Sequence, residues 1–385
     1  METGNKRMNW QFYLVVLIFS AAFLFFGNRI ASRDMFVSEF DAAPVYAARV
    51  TAIEGRHDII PDAAWGIEYA QALVFFEAEI TSRGDRRGQT VPAEQFVSSR
   101  LEQEVAIGDR ILLIHDEFHD IFFFMEFQRI HFAVILGVVF FVLIVLFGKM
   151  KGFNSIISLG FICMAVFMVF VPAILSGRNI YVAAIVICVY AVISTLLIVI
   201  GPNKKAYSAI VGCLGGILVA GLLMFAMDAI MGLTGLVDHE ARNLLNIPTA
   251  RPIDLRAIIF AGVIIGSTGA IMDVAMSIAS SLWEIKQVGE ESSFGSIFRS
   301  GMEIGKDILG TMLNTLILAY IGSSLSLIVL IVASTTTMLE LLNTELIIVE
   351  LLRALVGSFG MFMTIPLTAA FCGWSYLHQK RPDPS

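Results

Sequence analysis

Long apolar runs recur along this chain, and their spacing predicts its architecture. A helix needs about 20 predominantly apolar residues to cross a bilayer, and eight runs are of this order, the second being the shortest. The runs cover residues 10–26, 132–147, 156–175, 180–200, 209–231, 258–282, 308–332 and 354–376. The pattern predicts an α-helical polytopic membrane protein with about eight transmembrane helices.

Between the first and second runs the pattern changes to alternating apolar and polar positions. Five short segments rich in Val, Ile and Phe are separated by Gly, Asp and Arg clusters, for example "ALVFFEAEI" and "RILLIH". Such segments are typical of β-strands, and five of them predict a small barrel of OB or SH3 type. We therefore divide the chain into an N-terminal signal-anchor helix (1–27), a small β domain (28–130), a seven-helix transmembrane domain (131–378) and a tail (379–385).

The distribution of lysine and arginine predicts the orientation. Short cytoplasmic segments are enriched in these residues, and alternate connections of this chain carry all of its lysines. This arrangement predicts cytoplasmic termini, with residues 28–130 outside the cytoplasm. Residues 1–26 also resemble a cleavable signal peptide, but no A-x-A-like site follows them. We therefore expect a retained signal anchor.

Composition and charge narrow the range of partners. The chain is 57% hydrophobic and 15% charged, with a net charge of −7, and its mean hydropathy is +0.79. Residues 28–130 hold ten arginines against 18 acidic residues, a net charge of −8, whereas the rest holds 16 basic against 15 acidic residues. An acidic domain disfavours nucleic acid as a partner. The expected partners are the lipid bilayer and an unidentified solute or envelope component, and the oligomeric state is left open.

No catalytic or cofactor motif is found in the sequence. G-x-S-x-G, H-E-x-x-H and a complete phosphate-binding loop are missing, so we expect neither an enzyme nor a bound cofactor. Asp228 and Asp273 are predicted to lie about 20 Å apart along the membrane normal, too far for an aspartic-protease dyad. The segment "HDEFHD" at 115–120 is either a metal site or a hairpin turn. We favour the turn, because adjacent strand residues point to opposite faces, and expect no metal.

Small residues in two predicted spans indicate close helix packing. Gly212 and Gly216 are four residues apart in the fifth span, and Gly262, Gly266 and Gly269 share a face of the sixth. Small residues at such spacing let helix backbones approach each other. These glycines are therefore predicted to pack helices, and they leave the neighbouring aspartate, Asp273, unexplained.

Asp273 begins a polar stripe in the sixth span. Ser277 and Glu284 continue its helix face, and the seventh span carries a similar stripe. That second stripe contains Glu303, Asp307, Thr311 and Asn314. A charge near the bilayer centre costs about 2.5 to 3.5 kcal/mol on insertion scales. The stripes are thus predicted to line a substrate or ion pathway. The alternative is a lock, in which a neutral Asp273 is hydrogen-bonded to Asn314 or to a serine.

The segment joining these two spans is itself amphipathic. Phe294, Ile297, Phe298 and Met302 are at helical spacing. They fit either an interfacial helix on the inner leaflet or a structured cytoplasmic turn.

The segments "GSTGAIMDVAMSIASSLWE", "SGMEIGKDILGTMLNTLILAYIGSSL" and "GRNIYVAAIVICVYAVISTLLIVIG" resemble the YibE/F-like integral membrane proteins. The similarity covers nearly the whole chain, although Gly-Ser-Thr-Gly stands where the family is expected to have Gly-Ala-Leu-Gly. The resemblance implies a multi-pass bacterial cell-membrane protein and assigns no catalytic residue.

Two functions remain at this point. The first is a secondary transporter or flippase-like permease with a polar site around Asp273 and Asn314. The second is a non-transporting scaffold or partner-binding module, whose exterior barrel binds a cell-envelope partner. A membrane-embedded enzyme acting on lipid is a weaker third interpretation.

Overall fold

The computed structural model describes residues 3–33, 44–58, 72–98, 102–116, 119–237, 239–249, 251–288, 293–334 and 337–377. The predicted tail at 379–385 and Glu117 lie outside the described residues. The chain separates into two compact units, one made of residues 1–38 and 144–385 and the other of residues 39–143.

The chain is mostly helical. Its helices are α1 (Thr3–Ala31), α2 (Ile130–Ala165), α3 (Val171–Leu175), α4 (Ile180–Val199), α5 (Lys204–Met231), α6 (His239–Leu245), α7 (Leu255–Val288), α8 (Phe294–Ser323), α9 (Leu325–Ser334), α10 (Met338–Asn343) and α11 (Glu345–Leu377). A π-helical segment, Val166–Phe170, joins α2 to α3. Within the described residues, seven helical segments are long and apolar enough to cross a membrane. The chain is therefore a membrane protein with several candidate spans.

The β domain predicted after the first helix is confirmed as a five-stranded closed barrel. Its strands are β1 (Val45–Asp58), β2 (Ala72–Ile80), β3 (Thr90–Val97), β4 (Arg110–Asp116) and β5 (Ile121–Phe127). They follow the order β1-β2-β3-β5-β4 around the barrel. The β3–β5 pair is parallel, and the other pairs are antiparallel. This order with a parallel third and fifth strand is that of an OB fold, so the OB alternative is the correct one.

The barrel encloses its own apolar core. Along β2 buried and partly exposed positions alternate, as the two-residue period of a strand requires. Phe76, Ile111 and Leu113 are among the fully buried side chains. Gln95 is a buried polar exception. Its Nε2 donates to the Gln103 carbonyl over 2.9 Å, and its Oε1 accepts from the Val105 N–H over 2.9 Å.

Two of the predicted spans fall within one long helical segment, Ile130–Leu175. Lys149 interrupts it with φ 49° and ψ −130°, a backbone conformation that residues other than glycine rarely adopt. The chain turns sharply here and brings Gly152 against the carbonyl oxygen of Ile144. A Cβ added at Gly152 would collide with that oxygen. This turn lies between the predicted spans 132–147 and 156–175.

Helix α8 differs from the prediction at both ends. The amphipathic segment around Phe294 and Ile297 is the first part of α8, so neither a separate interfacial helix nor a turn is present. Ile297 is buried in the core of the helical unit, and Phe294 packs against Gly373. Toward its other end, the predicted span at 308–332 is divided at Ser324, where α8 ends and α9 follows.

The core of the helical unit is formed chiefly by α4, α5, α7 and α11, and α8 packs against α7 and α11. Gly212 and Gly216 of α5 lie against α11. A Cβ added at Gly212 would collide with the Thr368 hydroxyl, and one added at Gly216 would collide with the Thr364 hydroxyl. At Gly216 it would also lie 2.7 Å from the carbonyl oxygen of Gly360. These two glycines therefore allow the two helices to approach closely.

Candidate functional site

Asp273 lies near the middle of α7 and is exposed. It lines a cavity of about 310 Å³ together with residues of α2 and α4. Its carboxylate has no hydrogen-bond or ion-pair partner among the residues that the structure describes. Met272 and Met276 of the same helix also line the cavity. The carboxylate is thus available to a ligand, a proton or water.

The other polar groups of the cavity come from α2 and α4. Ser155 and Ser158 line it from α2, and Thr195 lines it from α4. The Ser158 hydroxyl donates a hydrogen bond to the Thr195 hydroxyl over 2.9 Å, and that of Ser155 bonds to the carbonyl of Lys151 over 2.9 Å. These hydroxyls were not predicted from the sequence as part of a site. Their signal was weak, because serine and threonine in a span usually bond to their own helix.

The structure does not bring Asp273 and Asn314 together by a hydrogen bond. Asn314 lies on the exposed face of α8 with Thr311, Asp307 and Glu303. The buried face of α8 is formed by Ile297, Gly301, Gly305 and Leu316. At 100° per residue, the centres of these two sets lie about 140° apart around the helix. The α8 stripe is therefore not part of the described lining of the Asp273 cavity.

The remaining polar residues of the stripes have local partners or none. The Thr311 hydroxyl donates to the carbonyl of Ile308 over 2.9 Å. Glu303 pairs with Lys306 over 3.0 Å, and Glu284 is 3.9 Å from Lys205. Ser277 is half-buried, one turn from Asp273. Exposed charged pairs contribute little to stability, so Glu284 and Glu303 are exposed surface carboxylates rather than a built site.

The three glycines of α7 differ in what lies beside them. An added Cβ at Gly262 would lie 3.9 Å from an Arg353 Nη atom, and one at Gly266 would lie 3.0 Å from the Tyr320 hydroxyl. Nothing described lies within 4 Å of a Cβ at Gly269. Packing thus explains Gly212 and Gly216, whereas Gly269 borders open space one turn from Asp273.

A charged pair near the start of α11 was missed because the predicted span began after it. Glu350 and Arg353 form an ion pair of 2.6 Å, with side chains 14% and 30% exposed. Their charges act on the nearby Tyr320 hydroxyl. Glu350 Oε2, Arg353 Nε and Tyr320 Oη are buried, and each lacks a hydrogen-bond partner in the described part of the chain. The three-residue spacing of Glu350 and Arg353 was the available signal, since it places both side chains on one helix face.

The described residues of the "HDEFHD" segment are the end of β4, His115 and Asp116, and a turn before β5, His119 and Asp120. His115 is buried and lies 2.8 Å from Asp120, and His119 lies 2.7 Å from Asp116. No group of three or more His, Cys, Asp or Glu side chains with metal-binding geometry occurs in the described ranges.

Comparison with known proteins identifies one family. The model of the family described as YibE/F-like protein matches residues 136–378, which include α7, α8 and the Asp273 cavity. No curated protein and no solved structure matches the chain.

Proposed function

The chain belongs to the YibE/F-like family. We propose that it is a secondary transporter or flippase-like permease for a small or amphiphilic solute. It is a multi-pass protein of a bacterial cytoplasmic membrane in this proposal, with cytoplasmic termini and the barrel on the opposite side. It carries out no covalent chemistry on its solute. The barrel acts as a docking element for the solute or for an envelope partner.

The exposure of Asp273 to a largely apolar cavity that also contains three hydroxyl groups is the observation that carries this proposal. A carboxylate that only joined two helices would be covered and hydrogen-bonded, since unpaired polar groups in a bilayer are costly. Asp273 instead borders open volume, and the hydroxyls of Ser158 and Thr195 lie on the wall of the same cavity. Ionisable residues inside membrane proteins usually face such a cavity and belong to a substrate or ion route.

Asp273 couples solute movement to a proton in this mechanism. The ionised carboxylate attracts a proton or a cationic group from the cavity. Neutralisation by the proton lowers the cost of exposing this face to the apolar middle of the bundle. The Ser158 and Thr195 hydroxyls can each donate or accept a hydrogen bond, so they can orient water or solute beside the carboxylate.

The open face of α7 extends this route toward α11. Gly262, Gly266 and Gly269 have no side chain to fill it, and Tyr320 and Arg353 lie beside its far end. We propose that a solute passes along this face between Asp273 and the Glu350–Arg353 pair. The α8 stripe with Asn314 has no direct role in this version of the pathway.

Flux into proteoliposomes tests the proposal. A pH-sensitive dye trapped inside the vesicles reports proton movement while a panel of amino acids, organic acids, amines and short-chain amphiphiles is added outside. Transport predicts that at least one solute moves protons in vesicles with the protein but not in empty ones. If no solute in a broad panel causes proton or solute movement, the proposal fails and a partner-binding module is favoured.

A further inference from the structure

Another cavity, of about 600 Å³, lies between α4, α5 and α7. It is lined by the first half of α4 and by the second half of α5, whereas the Asp273 cavity is lined by the last residues of α4. The two cavities therefore lie at different levels along the same helix.

The walls of this cavity are apolar and open at the surface of the bundle. Leu218, Leu222 and Phe225 line it from α5 and are 62%, 63% and 60% exposed. Gly221 lies among them, and a Cβ added there would be 3.6 Å from the Phe260 ring. Because this part of α5 belongs to a candidate span, the opening faces the region where lipid chains lie.

One end of the cavity is polar. Tyr181 lines that end, and the charges of Asp254, Asp228 and Arg256 act on its hydroxyl. Asp228 is one helical turn beyond Phe225 on the same face of α5. Its Oδ1 is buried and has no hydrogen-bond partner among the described residues.

We propose that this groove binds an amphiphile whose alkyl chain lies along Leu218, Leu222 and Phe225 and whose ammonium head pairs with Asp228. Binding sites of this volume are usually apolar with a few convergent polar groups that select the head. An ammonium supplies both the positive charge and the N–H donors that the Asp228 carboxylate lacks. A carboxylate head would be repelled by the like charge of Asp228, and a hydroxyl head would leave that charge unpaired.

Binding of three probes of equal chain length tests this site. Radiolabelled hexadecylamine, hexadecanol and hexadecanoate are titrated separately onto the purified full chain in detergent. The amine is expected to bind at least tenfold more tightly than the alcohol, and the carboxylate least tightly. Equal binding of all three, or a preference for the carboxylate, overturns the proposal.

Variants test separately how the head group and the alkyl chain of the probe contribute to binding. Asp228→Asn is expected to reduce amine binding to the level of the alcohol and to leave alcohol binding unchanged. Gly221→Leu fills the groove and is expected to weaken the binding of all three probes more than tenfold. Leu218→Trp is a second groove-filling variant, for use if Gly221→Leu does not fold. Val211→Phe is the matched control, because Val211 is 40% exposed on the same helix and does not line the groove. An amine preference that persists in Asp228→Asn, or binding that survives in both filled variants, contradicts the site.

This inference goes beyond the proposed transport function and can fail separately from it. The binding measurement needs no flux, so a loss of amine binding leaves the Asp273 pathway untouched. Conversely, if the protein binds the amine but moves no solute, the binding groove is supported and the transport pathway is contradicted.

Discussion

The hydroxyl of Ser158 donates a hydrogen bond to the hydroxyl of Thr195 across 2.9 Å, on the wall of the cavity that also contains the Asp273 carboxylate. This bond joins α2 to α4 beside the charge. The two hydroxyls satisfy each other in part, and each retains a lone pair for another donor. A hydrogen-bonded pair of hydroxyls in the same cavity as an unpaired carboxylate is the arrangement on which the transport proposal depends.

Thr195→Val tests how much the hydrogen bond between Ser158 and Thr195 contributes to stability. Valine keeps the shape of threonine and removes the hydroxyl, so the variant is expected to lose about 0.6 kcal/mol, the average for an interhelical hydrogen bond in a membrane. Ser158→Ala is expected to cost a similar amount. Thermal unfolding of the single and double variants measures this. The double variant should lose little more than either single one, and fully additive losses would contradict a shared bond.

Gly216→Ala and Gly269→Ala form a matched pair in neighbouring helices. At Gly216 the new methyl group collides with the Thr364 hydroxyl, so a loss of about 1 to 3 kcal/mol is expected from overpacking. At Gly269 nothing described lies within 4 Å of the methyl group. Alanine there is expected to be neutral, or stabilising by up to about 1 kcal/mol because it favours the helix. Thermal unfolding in detergent compares the two, and equal destabilisation would refute the difference in packing.

Gln95→Ala tests the polar core of the barrel. The change removes the partners of the Val105 N–H and the Gln103 carbonyl, and an unsatisfied buried group costs about 1 to 3 kcal/mol. Gln89→Ala, at an exposed position before β3, is the control. The barrel domain is expected to unfold at lower denaturant concentration only in the Gln95 variant, followed by far-ultraviolet circular dichroism. An unchanged midpoint would show that Gln95 is dispensable.

Cysteine labelling tests whether water reaches the Asp273 cavity. In a chain whose native cysteines are replaced, Met276→Cys is expected to react with a charged thiol reagent, because Met276 lines the Asp273 cavity with its three hydroxyl groups. Leu222→Cys lies in the apolar groove, where thiolate formation is unfavourable, and is expected to react slowly. Ile271→Cys, at a fully buried position, is the unreactive control. Equal rates at positions 276 and 222 would mean that the first cavity is no wetter than the second.

The barrel could be predicted from the sequence because its strands have a two-residue period of burial. The choice between OB and SH3 topology could not, since it depends on the parallel pairing of Ala93 with Phe122 and of Glu94 with Phe123. Those partners are about 30 residues apart, and no local pattern encodes which strands meet. The segment from Phe294 was mistaken for an interfacial helix or a turn because an amphipathic pattern does not reveal whether a helix continues into the next span.

Asp273 was identifiable because a carboxylate is conspicuous inside an apolar helix. Its surroundings were not identifiable, because the rotation of α8 relative to α7 is set by tertiary packing at positions such as Gly301, against Ala369 and Leu282. Asn314 was therefore expected beside Asp273, whereas the described cavity contains Ser158 and Thr195. Glu350 and Arg353 were overlooked because a hydropathy window excludes charged pairs even when the two residues neutralise each other.

Asp273→Asn measured in proteoliposomes tests the central claim most directly. Asparagine keeps the size and hydrogen-bonding capacity of the side chain and removes its titration. The asparagine variant is expected to fold with wild-type thermal stability while solute-driven proton movement is lost, with Asn314→Ala as the control that retains it. Asp273→Ala should likewise abolish the flux. An asparagine variant with wild-type flux at every pH would contradict the account.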